Sequence, residues 1–451
     1  MKRIWLSAFL FTSIVVAVVQ ADFQINMHTT YDQGSAGIAA DRQGGFIVVW
    51  DSYRQDGDSG GVFARRFLAD AVPAADEFQV NSTATGNQKE PSIAMDPTGR
   101  FVVAWQGPGP DEEDIFARLF DPNCQPLEAE FQVNEHIEGE QVVPSVAMSP
   151  DGAFVVVWES RAPQGRRSIC TRLYDSSDTP IGGQFAVDDG QFDCRYPDVA
   201  VDDSGNFAVV WMQDRSTNAI FARLYDAAGM ARTDPFQVNT ADFRSVTRPA
   251  VATDPNGSFV VAWDGHPDLA GLDDIHARLF GPDGTALGDQ FMVNTATAGS
   301  QDYPQVAVNE KGQFVVVWQG ESEPGGETDI FGRRYSSVGE PIGGEFRINT
   351  YTADDQRYPD VAIRQDGTFL AIWESYGQDG SRYGVFGENR PQVATADLNR
   401  DGFVDFLDFC LLAAQWRQTG ASLSADVMYD GIVDEHDFAA LCRDWLTVQP
   451  Q

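Results

Sequence analysis

The most regular feature of this sequence is a short apolar run that ends in tryptophan. One copy reads FVVAW at Phe101–Trp105, and its β-branched residues favour a buried strand over a helix. The run occurs seven times, with successive tryptophans 52 to 55 residues apart. Seven copies of one structural unit therefore fill residues 22–390. The tryptophans are Trp50, Trp105, Trp158, Trp211, Trp263, Trp318 and Trp373.

Each copy contains four strand-like segments joined by short turns. In the second copy these are FQVN (Phe78–Asn81), PSIAMD (Pro91–Asp96), FVVAW and DIFARLFD (Asp114–Asp121), with a DPTG turn between the second and third. Such turns connect antiparallel hairpins. Four short antiparallel strands repeated at this period predict an all-β fold, a seven-bladed β-propeller. At the level of fold the pattern resembles NHL-type propellers, and fold alone assigns no function.

Small residues mark the strand that lies nearest the axis of the ring. PSIAMD carries an alanine at the same place in every copy, so we assign it as inner strand A, FVVAW as B, DIFARLFD as C and FQVN as outer strand D. The chain opens with a D strand, Phe23–Asn26, and the seventh copy ends with a C strand, Gly384–Asn389. We expect the first strand to complete the last blade and close the ring. The alanines are Ala39, Ala94, Ala147, Ala200, Ala252, Ala307 and Ala362.

The B–C and D–A loops are the longer and more variable connections, and both emerge on one face of the ring. Binding is expected on that face. Blades one and seven share the motif SYxQDG there, and three further tyrosines precede the proline that begins strand A. Aromatic rings beside carboxylates suit a sugar polymer. The candidate ligand face comprises Tyr53, Asp56, Tyr196, Tyr303, Tyr358, Tyr376 and Asp379.

Other recurrent residues are interpreted as structural. The tryptophans should fill the space between blades. An arginine recurs in strand C, where we expect it to pair with acids of a neighbouring strand, and Glu388 replaces it in blade seven. The sequence has no H-E-x-x-H or P-loop motif, and it does not single out a carboxylate pair for a glycosidase. The arginines are Arg65, Arg118, Arg172, Arg223, Arg278 and Arg333.

The charge and the first residues bear on location. The net charge is −36 with a pI near 4.2, which disfavours nucleic acid as a partner. Lys2 and Arg3 precede an apolar run, Ile4–Val19, with small residues before Asp22. Residues 1–21 therefore read as a signal peptide. We expect a secreted protein, extracellular or at the cell surface, with no membrane span in the mature chain.

Near the end of the sequence, oxygen-bearing residues follow the spacing of a calcium loop. DLNRDGFVDFLD, from Asp397 to Asp408, matches D-x-[DN]-x-[DN]-G with aspartate at position 12. A second loop begins at Asp426 and has Met428 at position 3. The predicted Ca²⁺ ligands of the first loop are Asp397, Asn399, Asp401, Phe403 (through its carbonyl), Asp405 and Asp408. Those of the second are Asp426, Asp430, Ile432 (through its carbonyl), Asp434 and Asp437.

Each loop runs into a helix-like apolar pattern, and the duplicated unit over residues 396–446 resembles a type I dockerin. The resemblance implies calcium-dependent attachment to a cohesin-like or other extracellular receptor. Its partner-reading loop positions are Phe406, Leu407, Glu435 and His436 here, in place of the usual small hydroxyl pairs. Residues 391–395 would be a linker and 447–451 a tail.

Five cysteines in a secreted chain leave at least one unpaired. Cys410 and Cys442 lie on the two predicted C-terminal helices and are candidates for a disulfide. Cys170, in strand C of blade three, and Cys194, in the following D–A loop, form the second candidate pair. Cys124 would be the leftover thiol.

Three functions remain open at this point. The first is a secreted, non-catalytic propeller that binds a ligand such as a polysaccharide and is attached through its calcium module. The second is a polysaccharide-degrading enzyme, a glycosyl hydrolase or a lyase, with its site on the B–C/D–A face. The third is a structural component of a surface layer.

Overall fold

A computed structural model describes residues 22–390, except 162–164, 216–217, 241–242, 244, 267–271 and 322, together with Phe409. The predicted signal peptide, linker and calcium loops, with Cys410 and Cys442, lie outside these residues. The described chain forms 28 strands in seven four-stranded antiparallel sheets. None of its helices is long and apolar enough to cross a membrane.

The strands occupy four equivalent places in the sheets. The A strands are β2 (Gln33–Ala40), β6 (Lys89–Met95), β10 (Glu140–Met148), β14 (Asp193–Val201), β18 (Ser245–Thr253), β22 (Gln301–Val308) and β26 (Gln356–Ile363). The B strands are β3 (Phe46–Tyr53), β7 (Phe101–Pro108), β11 (Phe154–Arg161), β15 (Phe207–Asp214), β19 (Phe259–His266), β23 (Phe314–Glu321) and β27 (Phe369–Tyr376). The C strands are β4 (Gly60–Phe67), β8 (Glu113–Phe120), β12 (Arg167–Tyr174), β16 (Ala219–Tyr225), β20 (Asp274–Phe280), β24 (Thr328–Tyr335) and β28 (Tyr383–Arg390). The D strands are β1 (Phe23–Gln24), β5 (Phe78–Gln79), β9 (Phe131–Gln132), β13 (Phe185–Ala186), β17 (Phe236–Gln237), β21 (Phe291–Met292) and β25 (Pro341–Arg347).

The seven A strands form a closed inner circle. Each contacts the A strand of the next sheet, and β26 contacts β2. The predicted seven-bladed propeller, with its alanine-bearing strand innermost, is therefore confirmed.

The last blade is completed by the first strand, as predicted. Phe23 pairs with Gly387 and Gln24 with Phe386, which places β1 beside β28. Ile25 continues the contact by donating its N–H to the Val385 carbonyl at 2.9 Å. The carboxylate of Asp22 accepts N–H groups of Thr350 and Tyr351 in the neighbouring blade. The two ends of the ring are thereby joined through both hydrogen bonds and packing.

The hydrophobic core consists of layers between neighbouring blades. In one layer Val49 of β3 packs with Val103 and Trp105 of β7, and equivalent clusters occur at all seven junctions. All seven repeat tryptophans are at most 1% exposed. Their predicted structural role is confirmed.

The recurrent arginine of strand C is structural, and the partner that its copies share is a backbone carbonyl. The expected acid is found for Arg172, which also pairs with Glu135 of the preceding blade at 2.9 Å. Arg223 donates from Nη1 to the Val187 carbonyl of the preceding blade at 2.8 Å and lies over the Tyr225 ring at 5.4 Å. Carbonyl acceptance is general: Arg65 bonds Ile25, Arg118 bonds Val80, Arg172 bonds Val133, Arg278 bonds Val238 and Arg333 bonds Val293. Neither an aliphatic side chain nor a carboxylate at this position could donate a hydrogen bond to the carbonyl. This requirement for a long donor side chain explains why arginine recurs.

In blade seven a different residue donates to the equivalent carbonyl of the preceding blade. Glu388 stands where the arginine would be, and Arg390 instead donates to the Ile348 carbonyl at 3.1 Å. Arg390 also pairs with Glu388 at 2.8 Å.

Replacing Arg223 by methionine should lower the free energy of unfolding by about 1.5–3 kcal/mol, because a charge-assisted bond is lost and the Val187 carbonyl is left unpaired. Urea denaturation measures this change. The exposed Arg232 provides the matched control, and its methionine variant should stay within about 0.5 kcal/mol of the parent. Equal stability of the two variants would contradict the inter-blade role.

The predicted Cys170–Cys194 bridge is not formed. Both residues are buried free thiols, and Cys124 is also free. Cys170 packs in the layer between blades two and three, whereas Cys194 packs in the layer between blades three and four. The sheet of blade three separates the two side chains. Placing both cysteines near one face of the ring therefore did not show that their sulfur atoms could meet.

Candidate functional site

One face of the propeller carries a ring of strained residues. Every A strand has a register shift near its start, and a non-glycine residue there has a φ between 45° and 54°. Such a conformation is costly and is usually maintained where it positions a functional group. We call these residues the bulge ring: Ser35, Glu90, Val143, Tyr196, Arg248, Tyr303 and Tyr358. It includes three of the tyrosines predicted for the ligand face.

The bulges are held by polar side chains that follow the repeat tryptophans. Glu159, next to Trp158, accepts the N–H of Tyr196 at 2.8 Å, and Glu374, next to Trp373, accepts the N–H of Ser35 at 2.7 Å. Asp51, Gln106 and Gln319 bond the bulges of Glu90, Val143 and Tyr358 in the same way. A polar residue directly after the tryptophan is the sequence signal for this ring in five of the seven blades, with Met212 after Trp211 as one exception, and the sequence analysis missed it.

Asp264 departs from this pattern and belongs to an acidic cluster. It follows Trp263, yet it accepts hydrogen bonds from the Thr247 hydroxyl at 3.0 Å and from Arg248 at 3.4 Å. Asp273 precedes β20 and Asp302 precedes the Tyr303 bulge. Carboxylate oxygens of these three residues, which we call the aspartate trio, all lie within 4.8 Å of one another.

The members of the trio differ in environment. The side chain of Asp264 is only 2% exposed, whereas that of Asp273 is 25% exposed. His266, at the end of β19, places Nδ1 2.5 Å from Asp273 Oδ1. Asp302 is half-buried. The trio is therefore a buried acid beneath two accessible ones.

Burial favours the protonated forms of two members of the trio, Asp264 and Asp302. Burial raises the pKa of Asp264 to about 7, against the opposing charge of Arg248. Burial, together with the negative charge of Asp273, raises the pKa of Asp302 to about 6. An accessible carboxylic acid thus adjoins a second carboxylate, the combination required for general acid–base chemistry.

Tyrosines and arginines extend from the trio across four blades. The Arg248 guanidinium lies 3.7 Å from the Tyr303 ring centroid and 5.6 Å from that of Tyr196. The Tyr303 and Tyr358 rings meet edge to face with centroids 4.5 Å apart. Arg357 lies over the Tyr383 ring at 3.4 Å. These rings form a continuous aromatic platform beside the acids.

The other predicted face residues fall into two groups. Tyr376 joins the platform through Tyr383, with ring centroids 5.0 Å apart, whereas Tyr53 packs instead against Tyr31 at 5.8 Å. Asp56 and Asp379 each accept an N–H from two residues further on, so they shape their own loops. The expected pairing of Tyr53 with Tyr376 is not among the ring contacts of the described residues.

The trio also has the donor set for a hard cation. Three carboxylates, with the Thr247 hydroxyl beside Asp264, are oxygen ligands of the kind that Ca²⁺ prefers. Sequence reasoning did not predict this group, since its calcium ligands were placed in the C-terminal loops.

The protein should lose stability as the pH rises from 5 to 8. Burial raises the pKa values of Asp51, Asp264, Asp360 and Glu388 to about 7. Between an unfolded pKa near 4 and a folded pKa near 7 the native state binds more protons, so this stabilisation is complete below pH 4 and is lost through pH 7.

Calorimetry in about 0.5 M salt, which screens surface repulsion, should give a Tm several degrees higher at pH 5 than at pH 8. Asp360 accepts N–H groups of Ile38 and Val361, and Asp360→Asn should flatten the dependence. A Tm that is constant or rises towards pH 8 would refute this origin.

Comparisons with known proteins identify the fold. No protein-family model and no characterised protein matches the sequence. Among solved structures, an ulvan lyase of a polysaccharide lyase family aligns over 83% of this chain and 95% of its own, with a TM-score of 0.52 and 9% identity. Its complex with -[GlcA(1-4)Rha3S]- gives 0.51. An α-L-arabinanase of Penicillium chrysogenum covers 66% of this chain and 92% of its own, with a TM-score of 0.45 and 14% identity.

A protein of unknown function from Dyadobacter fermentans covers 70% of this chain and 97% of its own, with a TM-score of 0.48 and 12% identity. At such identities the likeness extends to the fold alone. The chain is, by its own structure and by its likeness in fold to the ulvan lyase, an all-β seven-bladed propeller of four-stranded antiparallel blades.

Proposed function

We propose that this protein is a glycoside hydrolase that acts on a polysaccharide at the aspartate trio. The observation that carries the proposal is the proximity of Asp273 and Asp302 on the B–C/D–A face, with Asp302 retaining its proton near pH 6. The upper limit of 4.8 Å on the distance between a carboxylate oxygen of Asp273 and one of Asp302 is compatible with the roughly 5 Å between the carboxyl groups of retaining glycosidases. It is well below the roughly 6.5–9.5 Å of inverting enzymes.

The two accessible acids receive different roles. Asp302 donates its proton to the glycosidic oxygen as the bond to the anomeric carbon breaks. Asp273, oriented by His266, attacks that carbon through a carboxylate oxygen and forms a glycosyl–enzyme ester. Water then displaces Asp273, and Asp302 takes the proton of that water. Asp264 is a positioning residue, because it is buried beneath the pair and fixes Arg248.

The platform would hold the sugar chain. The tyrosine rings offer apolar faces for pyranose units, and Arg248 offers donors to hydroxyl groups beside the trio. These contacts do not require any unit to be charged.

A hydrolase fits the site better than a lyase. A lyase needs a base to remove the proton beside a uronate carboxylate, and burial raises the pKa of Tyr303, which disfavours its ionised form. Polysaccharide cleavage is the activity named for the ulvan lyase of like fold, and that likeness supports the class of substrate only at fold level.

The discriminating experiment incubates the mature chain with a panel of neutral, amino-sugar and uronate polysaccharides. New reducing ends without an unsaturated product are expected for at least one substrate. An unsaturated uronate product would establish the lyase instead. Retention without any turnover would favour a second candidate, a non-catalytic binding protein, which the exposed tyrosine and arginine platform would also serve.

We further propose that the protein is secreted and attached to an extracellular receptor through its C-terminal calcium module. Calorimetric titration of the full chain with Ca²⁺ should show a site that Asp401→Ala weakens by more than tenfold, since this removes a charged ligand of the first loop. Asp302→Ala is the matched control, because it removes an acid from the trio instead. If only the Asp302 variant loses Ca²⁺, the ion binds at the propeller and the C-terminal assignment fails.

A further inference from the structure

A groove on the same face is lined in part by three residues of the bulge ring, Glu90, Val143 and Tyr196. It has a volume of about 820 Å³ and runs across blades two to four, with Glu90, Glu140 and Glu159 in its walls. Tyr196 lines its end and also lies 5.6 Å from Arg248, the neighbour of Asp264. Tyr196 is therefore shared by the groove and by the platform beside the proposed catalytic site, so the groove is suitably placed for further units of the same polymer.

The groove is strongly acidic, and its cations are already paired. Six carboxylates line it against two basic side chains: Glu90, Asp111, Glu112, Glu113, Glu140 and Glu159, with Lys89 and Arg167. Lys89 bonds Glu113 at 3.0 Å, and Arg167 bonds Glu159 at 3.2 Å. Asp111 and Glu112 make no ion pair within the described part of the chain, and both are exposed at the rim.

Glu90, which is exposed in the groove at the start of β6, would also gain from a positive ligand. Its pKa is raised, chiefly because nearby protein atoms limit the solvation of its charge, and the charge of Lys89 and the Ser35 hydroxyl oppose this shift. A cation in the groove would stabilise its ionised form. A uronate would instead add a carboxylate to a groove in which three acids, Glu90, Asp111 and Glu112, make no ion pair among the described residues, on a chain with a net charge of −36.

We infer that the groove binds amino-sugar units and that the substrate is a polysaccharide bearing free amino groups. This inference rests on the proposed function and adds its substrate class. Protonated amino groups donate charge-assisted hydrogen bonds to the carboxylates, while the rings continue the contact begun at Tyr196. The same chemistry rejects uronate polymers and gives acetylated amino sugars no ionic contact.

Binding is measured calorimetrically on the full chain carrying Asp302→Asn, which prevents turnover under the proposed mechanism. The probes are glucosamine, N-acetylglucosamine and galacturonate oligomers of equal length. The glucosamine oligomer should bind at least about tenfold more tightly than the other two, and its affinity should fall with salt. Equal or tighter binding of either other oligomer overturns the inference.

A double variant, Asp111→Asn with Glu112→Gln, tests the location without altering an ion pair. It should weaken glucosamine-oligomer binding by about tenfold. The matched control, Glu128→Gln with Asp234→Asn, removes the same charge from exposed C–D connections and should leave affinity unchanged. Equal effects of the two variants would mean that general charge attraction, and no groove site, accounts for binding.

The two proposals fail separately. Turnover of a neutral or uronate polymer with no glucosamine preference rejects the groove assignment and keeps the hydrolase. Groove-dependent binding of glucosamine oligomers without turnover in the parent protein keeps the groove and rejects the hydrolase.

Discussion

The substitution Asp302→Asn should lower kcat by about 10²- to 10⁴-fold, because it removes the general acid while preserving the size of the side chain. The effect should be largest for substrates with a poor leaving group, since these depend most on protonation of the glycosidic oxygen. Glu340→Gln, in the exposed turn of the same blade, is the control and should retain parental kcat. Steady-state assays of reducing ends, with near-UV circular dichroism to verify folding, measure the change.

The pH profile adds a readout that a structural role would not affect. The parental rate should decline as the pH rises above about 6, where Asp302 loses its proton, and the variant should lack this limb. If the Asp302→Asn enzyme had the parental kcat and an unchanged pH profile, Asp302 would have no part in the mechanism.

Removal of residues 22–26 should destabilise the propeller by at least about 3–5 kcal/mol and, in a marginally stable chain, prevent folding. The deletion takes away Ile25, which is fully buried, and the Asp22 bonds to the neighbouring blade. It also leaves β28 as an open edge and removes the carbonyl that Arg65 binds at 2.9 Å. Thermal unfolding of chains beginning at Asp22 and at Met27 gives the comparison.

Two further measurements keep this prediction testable if the deletion does not fold. Ile25→Ala in the longer chain should cost about 2–4 kcal/mol, whereas Met27→Ala, at a residue 49% exposed, should stay within about 0.5 kcal/mol. A synthetic peptide of residues 22–29 should restore part of the Tm of the deleted chain. Parental stability of Ile25→Ala would show that ring closure does not depend on this strand.

The repeat made most of the fold accessible to sequence reasoning. The FVVAW run and the alanine of strand A are local patterns, and their period of about 50 residues restricts the architectures that can bury them. Ring closure followed from counting, because a chain that begins with a D strand and ends with a C strand has one incomplete blade. The predictions that depended only on the order of strands and on burial, such as ring closure and the buried tryptophans, were confirmed.

The chemistry was far less accessible. Tyr196, Tyr303 and Tyr358 were selected by their place before a proline, but nothing local indicated that the bulge would bring Tyr303 under Arg248. Likewise the arginine of strand C was correctly judged structural, yet its acceptor is a backbone carbonyl of another blade. Sequence patterns record which residue recurs, and they do not record which neighbour a twisted sheet places within 3 Å.

By itself the sequence determined the number of blades, the order of strands and the face on which loops vary, because these depend on periodic hydrophobicity and turn residues. The tertiary structure alone decided the site. Asp264 and Asp273 come from blade five and Asp302 from blade six. Only Asp264 occupies a repeated position, directly after a tryptophan, and Asp273 and Asp302 have no repeated signature. They meet because two blades pack side by side, and burial between those blades, which no linear pattern expresses, sets their proton affinity.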